Sequence, residues 1–301
     1  MPTYSQVEEE LYSKWCSEFD LARYRLLAIV RQEGTQEVKR LGIAIDKEIS
    51  QNTYLKFCES ERDIIVKYCL IDGKIEAYDM PDESHAYVQG ELSFIMRSWS
   101  NQLAVTGERD LIVNSRSVYR GDINVRPKHI QPQQPQRPQP PRAGQHCPNL
   151  VVEIGNTEGL GHLHRKVVGY FSSQTTTQLY LAIKLFPPRP NNTFALLALL
   201  YSRNNPNPTI PVIVKSFGTA SLSIPTRNYL QNTINVPVNI ITGVGIGPVP
   251  IPCDRVNIPE YQLAIPTNPL FNGARGGVPI GTPQYFYIDL FVLQDVYQNS
   301  L

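Results

Sequence analysis

The sequence contains no segment suited to crossing a membrane or entering the secretory route. None of its 301 residues lies in an apolar run that approaches the roughly 18 residues a spanning helix needs. Residues 1–19 are charged and amphipathic, without the apolar stretch of a secretory signal. The sequence therefore predicts no membrane partner and an intracellular protein, cytoplasmic or nuclear.

Cysteine is too scarce and too scattered to form a structural framework. The five cysteines are odd in number, and no two of them form a CxxC pair. Disulfide frameworks and common zinc sites need closer, paired spacing. We therefore expect reduced thiols at Cys16, Cys58, Cys69, Cys147 and Cys253.

The chain also has almost no net charge, +1, but its charges are unevenly distributed. Residues 1–110 contain 13 basic and 20 acidic side chains, whereas residues 111–166 contain eight and three. A local excess of basic groups favours contact with phosphates. A solvated basic loop would give the same count, so charge alone leaves both interpretations open.

What the sequence does contain is the periodicity of a mixed α/β protein. Apolar residues such as Trp15, Phe19 and Leu26 recur at helical spacing over 4–31. Strand-like segments flank Asp72-Gly73, which predicts a hairpin at 64–80. Further helices are predicted at 84–102 and 158–172, and further strands at 110–114, 118–126, 149–155, 178–186, 194–201 and 210–216.

Two carboxylates in successive predicted strands form the candidate chemical site. If the strands of Asp122 and Glu153 pair, both side chains reach one edge of the sheet. Such an oxygen site suits Mg²⁺, which can activate water and neutralise a phosphodiester. Glu153 has apolar neighbours on both sides, where an unpaired carboxylate is costly. The alternative is that both carboxylates lie on a solvent-exposed strand face.

Several short motifs occur in the order in which a known nuclease family has them. They are Leu70–Ile75 (LIDGKI), His85 with Gly90–Leu92, Gly121–Val125 (GDINV), Pro148–Ile154 (PNLVVEI), Lys166 with Tyr170, and, more loosely, Gln178–Ile183. Over residues 64–186 the sequence resembles the Uma-type putative restriction endonuclease family, within the PD-(D/E)XK nuclease superfamily. The order of the motifs is more specific than any one of them.

The resemblance implies an endonuclease that hydrolyses phosphodiester bonds in DNA with Mg²⁺ or Mn²⁺. It assigns the metal ligands to Asp122 and Glu153, and the catalytic lysine to Lys166. Glu91 is a weaker catalytic candidate, because some members of the superfamily use a glutamate of the first helix.

The resemblance implies the fold of the central domain, and the residue pattern predicts the extensions and the loop, which lie outside the family pattern. We expect a restriction-endonuclease-like mixed sheet flanked by helices at 64–220, preceded by a helical extension at 1–63. An irregular, β-rich extension of Pro, Asn and Gly follows at 221–301, with short edge strands and loops. Residues 127–148 are rich in Pro and Gln, which predicts a flexible loop.

Departures from the family pattern keep a second hypothesis open. Gly155 occupies the position two after Glu153, where the superfamily has its lysine, so activity would depend on Lys166. Gly121 and Asn149 also replace family residues. The alternative is a catalytically inactive module for nucleic-acid or protein interaction, derived from a mobile element or used as an effector. The sequence does not fix the oligomeric state, and a homodimer remains one alternative.

Overall fold

The computed structural model describes residues 4–30, 42–60, 64–130, 147–247 and 251–301. Most of the Pro- and Gln-rich segment, residues 131–146, lies outside the described residues, as does part of the predicted N-terminal extension. The described residues form a mixed α/β protein, as the sequence predicted. No helix among them is long and apolar enough to cross a membrane.

Seven α-helices and fourteen strands make up the described part of the chain. The helices are α1 (Tyr4–Val30), α2 (Gln51–Glu59), α3 (Glu83–Trp99), α4 (Leu160–Tyr170), α5 (Ile224–Asn232), α6 (Thr267–Leu270) and α7 (Leu290–Asn299). The strands are β1 (Ile43–Asp46), β2 (Lys67–Ile71), β3 (Lys74–Asp79), β4 (Leu103–Thr106), β5 (Arg109–Asn114), β6 (Ser117–Gly121), β7 (Ile123–Pro127), β8 (Leu150–Gly155), β9 (Leu179–Leu185), β10 (Ala195–Ser202), β11 (Ile213–Gly218), β12 (Ile241–Gly243), β13 (Gln262–Pro266) and β14 (Tyr285–Asp289).

A five-stranded antiparallel sheet, here the small sheet, is built on the predicted hairpin. Its strand order is β1-β3-β2-β6-β5. The turn between β2 and β3 has positive φ at Asp72 and Gly73, a conformation that Asp and Gly tolerate best. The hairpin at 64–80 is thereby confirmed. Helix α1 packs on this sheet through Trp15, Phe19 and Leu26, the residues whose spacing predicted it.

A seven-stranded mixed sheet, here the large sheet, forms the centre of the molecule. Its order is β12-β11-β10-β9-β8-β7-β4, with β8 parallel to β9 and β11 parallel to β12. Every residue of β8 and β9 is buried, because these strands are covered on both faces. One face packs against α3, α7 and the β13–β14 hairpin, and the other against α4.

The strand predicted at 118–126 is two strands in two different sheets. Strand β6 ends at Gly121 in the small sheet, and β7 begins at Ile123 in the large sheet. The chain can bend there because residue 121 has no side chain. A Cβ at Gly121 would lie 2.5 Å from Val151 Cγ1. The single-strand prediction was wrong because periodicity does not reveal a change of sheet.

The C-terminal residues are more regular than the sequence predicted. Strands β13 and β14 form a hairpin, and α7 follows where only short strands and loops were expected. Asp289 caps α7 by accepting a hydrogen bond from the Phe291 backbone N–H. Leu263, Ile288 and Leu293 lie in the same buried cluster as the central strands. The packing therefore continues the main core into the C-terminal residues.

Helix α4 approaches the small sheet closely at Gly169. We therefore predict that alanine has opposite effects on stability at Gly169 and at Gly90, a helical glycine with open space around it. A Cβ at Gly169 would lie 2.2 Å from the Tyr119 ring, whereas one at Gly90 on α3 would meet nothing within 4 Å. We expect Gly169→Ala to lower the free energy of unfolding by about 1–3 kcal/mol through overpacking. Gly90→Ala should raise it by about 0.5–1 kcal/mol.

Urea denaturation of the two variants beside the wild type measures both effects. Equal stability of the Gly169→Ala and Gly90→Ala proteins would contradict the close contact between α4 and β6.

Candidate active site

Asp122 lies at the bend between the two sheets, and its carboxylate is fully occupied by protein donors. Its backbone N–H donates to Val152 O (2.9 Å), which joins the start of β7 to β8. Its side chain accepts a hydrogen bond from the Ile154 N–H (2.7 Å) at Oδ2 and forms an ion pair with the Lys67 ammonium at Oδ1. Asp122 has no exposed surface, so it is not a solvent-face carboxylate.

Glu153 extends from the same face of the large sheet as Asp122. The pairing of β7 with β8 is the one expected, with Ile123 opposite Val152. Glu153 Oε2 lies 3.1 Å from Lys166 Nζ, and Oε1 accepts a hydrogen bond from the Tyr170 hydroxyl. Glu153 is also fully buried, so the two carboxylates share a closed interior site.

Lys166 reaches this site from α4, as the sequence predicted. Leu163 and Val167 anchor the helix on the sheet, and the lysine between them is only 1% exposed. Its ammonium also lies 3.1 Å from Glu158 Oε1 and 3.7 Å from the centre of the Tyr78 ring. Arg165, the adjacent residue, is instead partly exposed and pairs with Glu76 (3.2 Å).

The packing of α4 also explains why residue 155 is a glycine. A Cβ there would lie 2.8 Å from Leu163 Cδ1 and 3.3 Å from Glu158 Cβ. A lysine at this position would therefore collide with the helix that supplies Lys166. Gly155 in β8 therefore leaves the space that α4 needs in order to bring Lys166 to the site.

The sequence analysis missed two residues of the cluster, Lys67 and Glu158. Lys67 of β2 reaches Asp122, and its Nζ also donates to Nε2 of buried His85 (2.8 Å). Glu158 shares Lys166 with Glu153 and accepts a hydrogen bond from His162 Nδ1. A lysine inside the apolar run of β2 was a usable signal for Lys67. Glu158 gave none, because a glutamate before a helix is usually a surface residue.

A further buried carboxylate, Asp79, holds the segment that enters α4. Its Oδ1 accepts hydrogen bonds from the Thr157 hydroxyl (2.7 Å) and the Glu158 backbone N–H (2.8 Å). These contacts fix Glu158 at the end of β3. Lys67, Asp79 and Glu158 therefore bring the hairpin and α4 to the same charged cluster.

Glu91 does not join this cluster. It is half-buried on α3, and no hydrogen bond or ion pair of the described residues connects it to Asp122 or Glu153. The α3 residue that does reach the site is Gln89, whose Nε2 donates to the Asp122 backbone oxygen (2.8 Å). His85, at the start of the helix, also reaches the site, where its Nε2 contacts the Lys67 ammonium.

The pair of Asp122 with Lys67 differs in proton affinity from the two glutamates that share Lys166. Burial alone would raise the pKa of Asp122, but Lys67 and His85 together outweigh burial and hold the pKa below its usual value. Burial raises the pKa of Glu153 and of Glu158 to about 7, against the attraction of Lys166. One ammonium between two buried carboxylates neutralises only one of them, so the pair retains a proton near neutral pH.

A divalent metal ion does not fit this arrangement. The oxygens of Asp122 and Glu153 already contact lysine ammoniums, an N–H and a hydroxyl, which repel or exclude a cation. Across the described ranges, no group of three His, Cys, Asp or Glu side chains could hold a metal ion. The two lysines supply the positive charge that a bound cation would otherwise provide.

Comparisons with known proteins agree with the resemblance found in the motifs. Residues 52–189 match the Uma2 family model, which is described as a putative restriction endonuclease. The matched segment includes Asp122, Glu153 and Lys166. The resemblance is therefore confirmed over this part of the chain.

Among solved structures, a putative nuclease from Anabaena variabilis is similar at 16% sequence identity, with a TM-score of 0.40. The similarity covers 59% of this chain and 90% of that chain. No curated protein sequence matches the chain.

The retained proton predicts that the protein becomes less stable as the pH rises towards neutrality. An unfolded glutamate loses its proton near pH 4.5, whereas the buried pair keeps one up to about pH 7. The native state therefore binds more protons between these values, so stability is full below about pH 4.5 and falls as the pH rises through 7. We expect a loss of about 2–3 kcal/mol between pH 5 and pH 8 from this site.

Glu158→Gln removes the second carboxylate and should flatten this part of the pH profile. Asp295→Asn, an exposed change on α7, should leave the profile as it is. Urea denaturation across the pH range gives both results. The same fall in stability in Glu158→Gln as in the wild type would refute the shared proton.

Proposed function

We propose that the protein is a nuclease that hydrolyses phosphodiester bonds in DNA at the site of Asp122, Glu153 and Lys166. The observation that supports this most strongly is the contact between Lys166 and Glu153. A lysine supplied by α4 meets the glutamate although the usual lysine position is a glycine. The match of residues 52–189 to a nuclease family supports the same class of activity.

The proposed roles follow from the charges of these groups. Lys166 offers a fixed positive charge that can stabilise the negative charge developing on a phosphate in the transition state. Glu153 can accept a proton from water in the pH range where its own pKa lies, near 7. Tyr170 holds one oxygen of Glu153 and so orients the other towards Lys166.

A cavity gives a candidate route from the surface to this buried site. Its volume is about 140 Å³, and its walls include Lys67, Tyr78 and Arg120. Lys67 contacts Asp122, and the Tyr78 ring lies against the Lys166 ammonium. A phosphate group that entered here would meet Lys67 first. We propose this cavity as the approach of the scissile phosphate.

Metal dependence is a separate part of the proposal. The resemblance implies that Asp122 and Glu153 bind Mg²⁺ or Mn²⁺, which would activate water and neutralise the phosphodiester. The described arrangement does not fit that ion while Lys67 and Lys166 occupy the carboxylates. The roles given above therefore rest on the side chains alone.

A second candidate function is a nuclease-derived module that binds a partner without cleaving it. The complete burial of Asp122 and Glu153, each paired with a lysine, favours this alternative. Such buried pairs can be kept for the specificity of a fold, without a chemical role.

Cleavage of supercoiled plasmid DNA separates the two candidates. The wild type should nick or linearise the plasmid. Removing Lys166 as Lys166→Met should slow cleavage by about 10²–10³. The neighbouring Arg165→Met should slow it far less, because Arg165 pairs with Glu76 outside the cluster. Reactions should be run with Mg²⁺, with Mn²⁺ and with a chelator.

The folding of the variants needs its own control, because removing one member of a buried ion pair typically costs about 3–5 kcal/mol of stability. The double variant Lys166→Met with Glu158→Gln removes one charge of each sign and keeps Glu153. Equal cleavage by wild type and a folded Lys166→Met would exclude Lys166 from catalysis. No cleavage by wild type under any of the three conditions would favour the binding module.

The pairing of Asp122 with Lys67 predicts how Mg²⁺ affects thermal unfolding. We expect Mg²⁺ to leave the midpoint of the wild type nearly unchanged, because Lys67 already neutralises Asp122. Lys67→Met removes that internal cation, so Mg²⁺ should stabilise this variant by about 2.7 kcal/mol at 100 times its dissociation constant.

Lys128→Met, an exposed change on the same side of the molecule, is the matched control and should behave as the wild type. Strong stabilisation of the wild type by Mg²⁺, absent in Asp122→Asn, would mean that the metal displaces the lysines.

A further inference from the structure

Two segments of the chain contain basic residues and no carboxylates. Residues 123–150 contain no Asp or Glu, and neither do residues 261–288. In the structure, residues 129–130 of the first segment lie against residues 274–275 of the second. The Arg275 backbone N–H donates to His129 O (2.9 Å), and Ile130 pairs with Ala274. The exposed side chain of Arg275 therefore lies beside the end of β7.

Asn149 strengthens this connection. Its Nδ2 donates to the backbone oxygens of Leu270 (2.8 Å) and Asn272 (2.9 Å). This residue replaces an aspartate of the family motif, and an amide is required to donate both bonds. The C-terminal loop that presents Arg275 is thus fixed to the start of β8.

Strand β7 leads from the buried site to this surface. Alternate residues of a strand share a face, so Asn124 and Arg126 lie on one side of β7. Asp122 directly precedes this strand, and Lys128 directly follows it. Asn124 Nδ2 donates to Gly107 O (2.8 Å) and Gly121 O (3.2 Å), which brings the start of β5 against β7. Exposure increases along this row, from buried Asn124 through half-buried Arg126 to exposed Lys128.

The residue that β5 places beside this row is Arg109. Its acidic neighbours in sequence face away, because Glu108 and Asp110 both pair with Arg120. Burial, together with the charge of Arg126, lowers the pKa of Arg109. The hydrogen bond from Asn124 to Gly107 O places the chain just before Arg109 beside the strand that carries Arg126. Within the described ranges neither arginine forms an ion pair, and the buried Nε of Arg126 has no hydrogen-bond partner.

We propose that Arg109, Arg126, Lys128 and Arg275 bind the phosphate backbone of a nucleic acid and lead the strand towards the site of Asp122. Cationic side chains on adjacent segments that lack a carboxylate partner favour binding of an anion, and phosphate matches the planar donors of arginine. Residues two apart on a strand are about 6.6 Å apart, so successive members of the row can contact different phosphates of one DNA strand. This inference rests on the proposed function.

The test is the binding of a fluorescein-labelled DNA duplex, followed by anisotropy over a range of salt concentrations and with a chelator present. Arg109→Gln with Arg126→Gln should weaken binding at least tenfold and reduce the salt slope by about 1.8, since each phosphate contact contributes about 0.9. Arg97→Gln, an exposed change on α3 at the opposite face of the sheet, should bind as the wild type.

Two further measurements keep the test decisive. Arg109→Lys with Arg126→Lys retains the charges and should largely restore the salt slope, which separates phosphate binding from a fault in folding. Poly-glutamate, an acidic polypeptide, should compete poorly with the duplex.

Unchanged binding by the double Gln variant, or no binding by the wild type, would overturn this inference. Equal competition by poly-glutamate would point to an acidic protein partner and would overturn it as well. Failure of plasmid cleavage with Arg-dependent DNA binding intact would refute only the nuclease activity, so the two proposals fail separately.

Discussion

The neutralisation of buried carboxylates by two internal lysines is the constraint around which the centre of this protein is organised. Asp122 and Glu153 are fully buried, and neither could remain charged there without a partner. Lys67 comes from the hairpin of the small sheet, and Lys166 comes from α4. The two sheets and the helix are therefore held together by the same charges that form the candidate site. Disturbing either lysine would disturb both the fold and its chemistry.

This arrangement differs in one respect from a site prepared for a metal ion. Carboxylates that wait for a cation repel each other, whereas here each one is already paired. Glu153 and Glu158 share Lys166 and have raised pKa values. A proton-binding group near neutral pH is useful for acid–base chemistry, and perturbed groups of this kind are common at functional sites. The lysines thus provide charge, and the glutamate pair provides a proton.

Much of the architecture followed from local patterns. The spacing of Trp15 and Phe19 specified an amphipathic helix, and Asp72-Gly73 specified a turn, because both depend on residues close in sequence. The helix that carries Lys166 was also predicted. The bend at Asp122 and the helix α7 were not. A change of sheet leaves the alternation of side chains intact, so β6 and β7 looked like one strand. A short strand followed directly by a short helix looks irregular.

The sequence by itself determined the residue types of the site, the pairing of the strands that hold Asp122 and Glu153, and the absence of carboxylates from residues 123–150. Only the tertiary structure decided what each charge contacts. Lys67 and Asp122 are 55 residues apart, and Asp79, which accepts a hydrogen bond from the Glu158 backbone N–H, is 79 residues from Glu158. Likewise Glu91 stays outside the cluster, while Gln89, two positions earlier, reaches it. Contacts between distant segments depend on how sheets and helices pack, and a local pattern carries no record of that packing.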